Sequence, residues 1–325
     1  MSIPKLEFPP FHLPAEAEAL RVEVRQFLKE TIPTVKTEDR FPSWNTHSPE
    51  FSRKMGARGF IGVTWPKQYG GHERSFLDRF VITEELLGNS APAGAHWVAD
   101  RQSGPVLLRF GSEEQRQAIL PRIVKGECYF SIGMSEPDSG SDLASVRTRA
   151  EPVPGGFRVN GTKVWTSGAH RNHYCITLVR TSGQHGDRHK GLSQLMVDLK
   201  TPNVTIRPII NLAGRHDWNE VTFTDAFIPE SCLIGNEGDG WMQVTSELAF
   251  ERSGPERFMQ NFYVLRELVR VLGRQPARRA SAILGRLVAR LWTLRQMSVS
   301  VAGMMQAGKS PVIEASLVKD LGTRS

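Results

Sequence analysis

Residues 129–142 read YFSIGMSEPDSGSD, and residues 147–181 read RTRAEPVPGGFRVNGTKVWTSGAHRNHYCITLVRT. In the first run, apolar residues from Phe130 to Met134 alternate with smaller ones, as in a half-buried strand, and turn-forming residues follow. In the second run, Asn160-Gly161 lies between apolar residues, which is a strong signal for a hairpin turn. The two runs therefore predict strands of an antiparallel sheet joined by polar loops.

A parallel nucleotide-binding fold is the competing interpretation, because Gly140-Ser141-Asp142 follows a predicted strand as a phosphate-binding turn would. The sequence contains no GxGxxG, no GxxxxGK[ST] occurs at this turn, and no clear crossover helix follows it. The antiparallel interpretation is therefore preferred.

Two ordered motifs in these runs resemble the flavin-binding signature of the acyl-CoA dehydrogenase family. The first is a Ser/Thr-Glu-Pro-x-x-Gly-Ser-Asp loop, matched by residues 135–142, and the second is Lys-x-Trp with a hydroxyl residue two positions later, matched by residues 163–167. Similar segments on both sides, including WPKQYGG at residues 65–71 and Asn219-Glu220-Val221, extend the resemblance over nearly the whole chain.

The resemblance implies FAD as the cofactor and assigns its contacts. Met134, Ser135, Trp165 and Ser167 would pack on or hydrogen-bond to the isoalloxazine ring, and Ser141 would lie where the flavin meets the thioester substrate. Taken singly, Trp165 is equally consistent with a core aromatic residue, and the serines with turn residues. The agreement of two motifs in order favours the flavin site.

The resemblance and the local patterns together predict an α+β fold of three domains. An N-terminal α-helical domain is expected over 1–124, a central antiparallel β-barrel-like domain over 125–232, and a partial C-terminal α-helical bundle over 233–325. Ser112-Glu113-Glu114-Gln115 is a capping box that opens a helix in the first domain. The strands predicted for the second include one at Glu220–Thr224.

Composition excludes some function classes. The chain of 325 residues is 39% hydrophobic and 23% charged, and it has no apolar run near the roughly 18 residues that would cross a bilayer. No secretory signal is evident at the N-terminus, so a cytoplasmic location is expected. The three cysteines are far apart and are expected to be buried thiols. His170, His173, His185 and His189 straddle a hydrophilic loop and are interpreted as solvated residues, so no metal is expected.

Positive charge is concentrated at the C-terminal end of the chain. Residues 252–325 contain 13 Lys and Arg but only four Asp and Glu, whereas the whole chain has a net charge of +7. This basic helical surface suits the phosphates of FAD and coenzyme A, although it also suits an acidic partner or nucleic acid. Arginines at solvated helix positions are equally common without any ligand. Phosphate contacts are preferred, and nucleic acid is not expected.

The reaction implied by the resemblance is FAD-dependent dehydrogenation of an acyl-CoA thioester to the trans-2-enoyl-CoA, in the catabolism of fatty acids or related acyl groups. It needs a base for the α-proton, and most family members place this Glu beyond the last residue of this sequence. Isovaleryl and long-chain members use a Glu that precedes an Arg on an earlier helix, which Glu251 and Arg252 match. Glu251 is thus the expected base and Arg252 a substrate contact. A simple ion pair or a cap against Ser253 is the competing role for Glu251.

The resemblance is incomplete at the adenosine end of the cofactor, because an Arg-x-x-Phe-Gly segment used by family oligomers is not reproduced near Arg278. Three alternatives stay open: a non-catalytic or half-site subunit of a heteromeric enzyme, a chain that has lost its last helices, and a DNA-binding family member. The expected partners are the acyl-CoA substrate, electron-transfer flavoprotein or an equivalent acceptor, and further subunits of a homo- or hetero-oligomer. Apolar residues at helical spacing in Ala280–Met297 predict a face for such a subunit.

Overall fold

The computed structural model describes residues 6–35, 43–183, 187–251 and 253–324, with residues 247–251 described as backbone only. The α-helices are α1 (Ala15–Thr31), α2 (Pro49–Ala57), α3 (Phe76–Gly88), α4 (Gly94–Val98), α5 (Gly104–Phe110), α6 (Glu113–Val124), α7 (Gly240–Glu251), α8 (Phe262–Leu272), α9 (Arg278–Gln306) and α10 (Val312–Thr323). The strands are β1 (Phe130–Gly133), β2 (Arg149–Val153), β3 (Gly156–Lys163), β4 (Tyr174–Arg180), β5 (Leu192–Asp198), β6 (Val204–Ile210), β7 (His216–Pro229) and β8 (Leu233–Ile234). The predicted order of helices, central sheet and helices is confirmed.

The strands form one sheet, which differs from the predicted antiparallel barrel in the direction of some strands and in not being closed. The described strands lie in the order β6-β7-β3-β2-β4-β5-β8, with β1 beside β4. Most neighbours are antiparallel, but β1 pairs with β4 in parallel, as does β2 at one residue pair. The edge strands β6 and β8 do not pair with each other among the described strands, so the sheet is not closed. The expectation of an antiparallel barrel-like domain is corrected to an open, mixed sheet.

The expected hairpin turn at Asn160-Gly161 is wrong. The turn that joins β2 to β3 lies earlier in the chain, where Val153 pairs with Gly156. Asn160 and Gly161 lie inside β3, at a register shift against β7. Gly161 has a φ of +146°, and a Cβ there would lie 2.6 Å from the Cα of Thr148. Glycine is therefore needed at this position for a bulge and a close backbone approach.

Contacts divide the described chain into two compact units. The first contains the described parts of Met1–Phe51, Arg58–Gly94 and Leu248–Ser325, and the second contains Ser52–Ala57 and the described parts of Ala95–Glu247. The boundaries of the three predicted domains, 1–124, 125–232 and 233–325, stay predictions.

In the first unit, α1, α3 and α9 pack around a shared core. Ala17 of α1, Phe80 of α3 and Val299 of α9 are buried together. Arg21 of α1 is buried and bonds to Glu84 at 2.8 Å and to Glu85 at 2.7 Å, both on α3. Because the two adjacent carboxylates are buried, the guanidinium partner is needed to offset the cost of their desolvation.

No described helix is long and apolar enough to span a membrane.

In the second unit, the core is built on one face of the sheet. Its buried members come from the strands and the segments between them: Ala150, Phe157, Val159, Ala169, Cys175, Val179, Leu195, Val197, Leu199, Val221, Phe223, Ala226 and Ile228. Cys128 and Cys175 are buried, as expected, and Cys232 is partly buried. Burial raises the pKa of the Cys128 and Cys175 thiols to about 11. The predicted capping box opens α6, where Ser112 and Gln115 bond reciprocally.

Candidate functional site

The loop that follows β1 is tied to the end of β3. The amide of Val164 donates to the Ser135 carbonyl oxygen at 2.9 Å. The ammonium of Lys163 donates to the Met134 carbonyl oxygen at 3.0 Å, across 29 positions of sequence. Two motif segments that are distant in sequence are therefore neighbours, and both contain residues expected to contact FAD.

A buried ion pair holds this junction in place. Lys163 is fully buried and Glu136 is 8% exposed. The Lys163 Nζ lies 2.8 Å from Glu136 Oε1. That carboxylate also accepts from the backbone amides of Arg147 at 2.6 Å and Thr148 at 2.9 Å. Each charge is thus paired and hydrogen-bonded, which is the condition under which buried charges are tolerated.

The same contacts fix the ionisation state of the pair. Burial of the Glu136 carboxyl alone would favour its neutral form. The Lys163 ammonium and the donors from Thr148 and Arg147 outweigh that effect and hold the pKa of Glu136 below its ordinary value. Burial lowers the pKa of the Lys163 ammonium, against the opposing effect of the Glu136 carboxylate. The loop after β1 is therefore anchored by the direct contact of these two groups, with Glu136 as a carboxylate at neutral pH.

Trp165 is exposed and its backbone is strained. Its side chain is 58% exposed, although tryptophan usually buries most of its surface. Its φ is +59°, in the left-handed region that costs a bulky residue about 1–3 kcal/mol. The indole meets the edge of Trp218 at a centroid distance of 6.1 Å and an angle of 86°. A flat aromatic face is thus held out from the sheet, which suits stacking against a planar ring system.

The residues that follow Trp165 are held by hydrogen bonds to neighbouring strands. Thr166 pairs with Asn219 of β7, its amide donating to the Asn219 carbonyl at 3.0 Å. The hydroxyl of Ser131 on β1 donates to the Ser167 carbonyl oxygen at 2.8 Å. Ser167 is half-buried. The segment Trp165 to Ser167 therefore lies between β1 and β7, beside the loop that contains Met134 and Ser135.

The structure places the other predicted site residues as follows. Ser141 is exposed on the loop after β1, where Ser139 Oγ bonds to the Asp142 carbonyl at 2.7 Å. Glu251 is the last residue of α7, and its side chain lies outside the described atoms. Arg252 lies outside the described residues. The structure therefore brings together Met134, Ser135, Trp165 and Ser167. Their roles, and those of Ser141, Glu251 and Arg252, stay predictions.

The histidines were expected to be solvated, and His170 and His189 are exposed while His173 is partly buried; each of the three also makes a specific contact. His170 stacks on His216 with ring centroids 3.7 Å apart, and His189 stacks on Trp241 at 4.1 Å. His173 Nδ1 accepts from the Tyr129 amide at 3.1 Å. His185 lies outside the described residues. Within the described part of the chain no group of three or more His, Cys, Asp or Glu could hold a metal ion.

Sequence reasoning missed three residues that build this site. Asn219 is fully buried, and Glu136 and Lys163 form a buried pair, but the motifs that contain these residues assign none of them a role. A buried polar residue is not visible from local pattern, because it is satisfied by partners distant in sequence. For Lys163, the available signal was a lysine inside a strand pattern next to a Trp-containing motif, which calls for a paired charge.

Two family models match the chain. The one described as "Acyl-CoA dehydrogenase, N-terminal domain" matches residues 14–127, and the one described as "Acyl-CoA dehydrogenase, middle domain" matches residues 131–226. "Acyl-CoA dehydrogenase IpdE1" of Mycobacterium tuberculosis is 36% identical over 267 residues, which are 81% of this chain and 68% of that protein. The chain belongs to the acyl-CoA dehydrogenase family. The predicted family and enzyme class are confirmed, and the family is FAD-dependent.

Solved acyl-CoA dehydrogenase structures share the fold. The "Tcur3481-Tcur3483 steroid ACAD" has a TM-score of 0.84 and 26% identity, over 96% of this chain and 82% of that one. The ChsE4-ChsE5 complex from Mycobacterium tuberculosis has a TM-score of 0.82 and 29% identity, over 97% of this chain and 83% of that one. These similarities confirm the arrangement of helices and sheet.

Proposed function

We propose that this protein binds FAD on the face formed by the loop after β1 and the Trp165 segment, and dehydrogenates an acyl-CoA thioester to the trans-2-enoyl-CoA. The single observation that carries the proposal is the exposed, strained Trp165 next to Ser135. Residues 163–165 and the Ser135 loop match the flavin signature in order, and the buried Lys163–Glu136 pair joins them. A cytoplasmic location stays a prediction from the sequence.

The residues present fit a flavin. The Trp165 indole offers an apolar face that is 58% exposed, and the half-buried Met134 and Ser135 offer a thioether, a hydroxyl and backbone groups beside it. When bound, FAD supplies the acceptor for the hydride that leaves the β carbon of the substrate. Trp165 and Met134 would cover the ring system and exclude water, while Ser135 and Ser167 would satisfy its polar edge.

The chain's own part in the reaction is proton removal and orientation. Glu251 takes the proton from the α carbon onto a carboxylate oxygen as the β C–H bond breaks, and the electron pair from the α C–H bond becomes the new double bond. A carboxylate in an apolar site has its proton affinity raised toward the value that this task needs. Ser141 would lie next to the thioester, and Arg252 is a predicted substrate contact.

The proposal is tested by reconstituting the purified wild-type chain with FAD and adding saturated acyl-CoA thioesters without oxygen. Fatty acyl, branched acyl and steroid side-chain thioesters cover the substrate classes of the family. We expect a yellow protein whose flavin absorption is bleached by at least one thioester, with the trans-2-enoyl-CoA as product. A folded protein that retains no flavin after reconstitution would contradict the proposal.

Trp165→Ala is expected to weaken FAD binding by about 1–3 kcal/mol, the usual scale for losing one aromatic stacking partner. The indole is largely exposed, so its removal should cost little buried surface. Alanine should tolerate the left-handed backbone at this position as well as tryptophan does, so the free energy of unfolding should change little. Fluorescence titration of the apoprotein with FAD measures the affinity. Trp165→Phe is the matched control, since it keeps an aromatic face and should retain most of the affinity. Unchanged FAD affinity in Trp165→Ala would remove this residue from the site.

We also propose that this chain is a subunit of an oligomer, or of a heteromeric complex in which a partner chain completes the flavin site. The similar ChsE4-ChsE5 structure is that of a complex. In this chain, Val288 and Trp292 of α9 are 55% and 61% exposed, and Val264 and Val271 of α8 are 54% and 72% exposed. Exposed apolar residues grouped on two helices suit a subunit contact.

The electron acceptor is proposed to be electron-transfer flavoprotein or an equivalent carrier.

Reversing the charge of Arg278 and Arg279 tests the role of the basic helical surface. Both residues are exposed at the start of α9. If this surface contacts FAD or coenzyme A phosphates in the assembled enzyme, Arg278→Glu with Arg279→Glu should weaken flavin retention and raise the thioester concentration needed. The effect should be larger at low salt, where charges are less screened. Flavin content and light scattering measure the outcome. A stable monomer with full flavin content that is unaffected by the two substitutions would contradict a role of this surface in phosphate contacts.

A further inference from the structure

Asn219 makes an unusual number of bonds to a single backbone position. It is fully buried on β7. Its amide donates to the Thr166 carbonyl at 3.1 Å and its carbonyl accepts from the Thr166 amide at 3.0 Å. Its side-chain Nδ2 donates to the same Thr166 carbonyl at 2.9 Å. The carbonyl between Trp165 and Ser167 therefore receives two N–H groups from one residue.

The orientation of the Asn219 amide follows from these bonds. A carbonyl oxygen can only accept, so the side-chain atom that faces Thr166 is the NH₂ group and the opposite atom is the oxygen. That oxygen lies 2.7 Å from His216 Nε2 and 3.2 Å from His170 Nδ1. Because an amide oxygen has no hydrogen to give, both ring nitrogens must donate. His216 therefore has its proton on Nε2 and His170 has one on Nδ1.

The two imidazoles form a rigid support for this amide. Their rings are stacked with centroids 3.7 Å apart and planes 14° apart. His170 is exposed by its accessible surface, yet partial desolvation of its ring, and then the positive charge of Arg171, lowers its pKa to about 4. His170 is thus neutral at physiological pH, in the tautomer that the Asn219 oxygen selects. The stack and the two N–H donors leave the amide one favourable orientation.

Backbone bonds also hold the segment on either side of Thr166, from the Val164 amide to the Ser135 carbonyl and from the Gly168 amide to the Asp217 carbonyl. Trp165 is 58% exposed, and its indole meets the edge of Trp218. Its φ of +59° must be imposed by neighbouring contacts. The next carbonyl along, that of Ser167, is held by Ser131 Oγ at 2.8 Å. The backbone of Thr166 is therefore the point from which the Trp165 face is aimed.

We infer that Asn219, with its amide fixed by His170 and His216, is a positioning residue that sets the Trp165–Ser167 segment for the flavin ring. The inference rests on the proposed function, since it assigns a purpose to residues behind the proposed FAD face. Asn219 and the histidines act through the Thr166 carbonyl and do not contact the ring themselves. A different role, satisfaction of buried backbone groups alone, would affect folding but not the bound flavin.

The test compares Asn219→Ala with a matched control on the same strand pair. Asn160 of β3 also bonds to β7, through Asp225 at 2.9 Å and back from the Asp225 amide at 2.8 Å. Asn160→Ala thus removes a similar cross-strand link at a position that does not contact the Trp165 segment. Three quantities are measured: the FAD dissociation constant, the reduction potential of the bound flavin, and hydrogen exchange of the peptide over residues 163–168 in the apoprotein.

Asn219→Ala is expected to speed exchange of that peptide, weaken FAD binding at least about tenfold, the scale of one or two lost hydrogen bonds, and shift the reduction potential. Asn160→Ala should leave all three unchanged. His216→Ala should share the Asn219→Ala pattern in weaker form, and His216→Gln, which restores a side-chain N–H donor, should reduce the loss. If Asn219→Ala does not fold, this histidine pair of variants decides the question.

The outcomes separate the inference from the proposed function. If the wild-type chain binds no FAD, the proposed function fails, while the exchange rates still decide whether Asn219 holds the segment. If the wild-type chain binds FAD and Asn219→Ala changes neither affinity nor potential, the positioning role is overturned although the proposed function stands. Unchanged exchange in every Asn219 and His216 variant would overturn it irrespective of FAD.

Discussion

Lys163→Met is expected to lower the free energy of unfolding by about 3–5 kcal/mol, the usual cost of breaking one half of a buried ion pair. The change removes a fully buried ammonium and leaves the Glu136 carboxylate, which is 8% exposed, without its counter-charge. Methionine is similar in length, so the loss should reflect charge more than volume. Denaturation by urea at neutral pH, followed by circular dichroism, measures the difference from wild type.

The double variant Lys163→Met with Glu136→Gln is the control for this prediction. It removes both charges, so no uncompensated carboxylate stays buried, and it should recover a large part of the lost stability. In the wild type the Arg147 and Thr148 amides donate to different oxygens of the Glu136 carboxylate. Glutamine retains one of these acceptors, so one of the two amides loses its partner and the recovery should be incomplete. A double variant as unstable as the single one would indicate that packing of the lysine stem, and not charge, accounts for the effect.

The pH dependence of the Lys163→Met effect has a definite sign. In the wild type, the pKa of Glu136 is held below its ordinary value, so the pair stabilises the fold above the unfolded pKa and that contribution is lost as pH falls through the folded value. Without Lys163, burial should raise the pKa of Glu136 above the unfolded value. Protonation then relieves the buried charge, so the stability gap to wild type should narrow as pH is lowered from 7 toward about 5. A gap that widens on acidification would contradict this account.

The sequence was sufficient for the parts of the fold that local chemistry determines. The capping box at Ser112 opens α6 where the motif predicts it, because a cap is completed within four residues. The order of helices, sheet and helices followed from the resemblance, whose two flavin motifs come together at the Lys163–Glu136 pair. Both motifs lie where the loop after β1 meets the end of β3, so their order and spacing contained information about the three-dimensional structure.

Pairing between distant strands accounts for what local pattern could not predict. Asn160-Gly161 has the composition of a hairpin turn but lies in β3, because the close approach to Thr148 requires a residue without a side chain. The strand expected at Glu220–Thr224 is the middle of β7, which extends over His216–Pro229. Asp217 and Asn219 near its start are residue types depleted in strands, and this part of β7 is held in the sheet by pairing with β6.

The candidate site shows the same division. Trp165 and the serines of the motifs were predicted from the resemblance, whereas Asn219 was not given a role, since its partner Thr166 is 53 positions away. His170 and His189 are exposed, as a loop rich in polar residues suggests, but the stacking of His170 on His216 of β7 could not be predicted from that loop. Buried polar networks are specified by three-dimensional satisfaction of donors and acceptors, which no local window contains.

Glu251→Gln is expected to slow flavin reduction by a saturating acyl-CoA at least about a hundredfold, the usual scale for losing a general base. The change keeps side-chain size and removes only the basic oxygen, so FAD binding and unfolding should stay close to wild type. Rapid mixing without oxygen, with flavin absorption as the signal, measures the chemical step separately from product release.

Glu247→Gln makes the Glu251 experiment specific. Glu247 lies one turn earlier on α7, so both variants remove one negative charge from the same helix. If Glu251 is the base, only Glu251→Gln should show the large loss in the rate of flavin reduction. In that variant the rate of flavin reduction should no longer rise with pH through the titration of a carboxylate. A large loss in Glu247→Gln with normal reduction in Glu251→Gln would assign the base to Glu247. Wild-type rates in both variants would place the base on another residue or on a partner subunit, and the chain would then act as one half of a shared site.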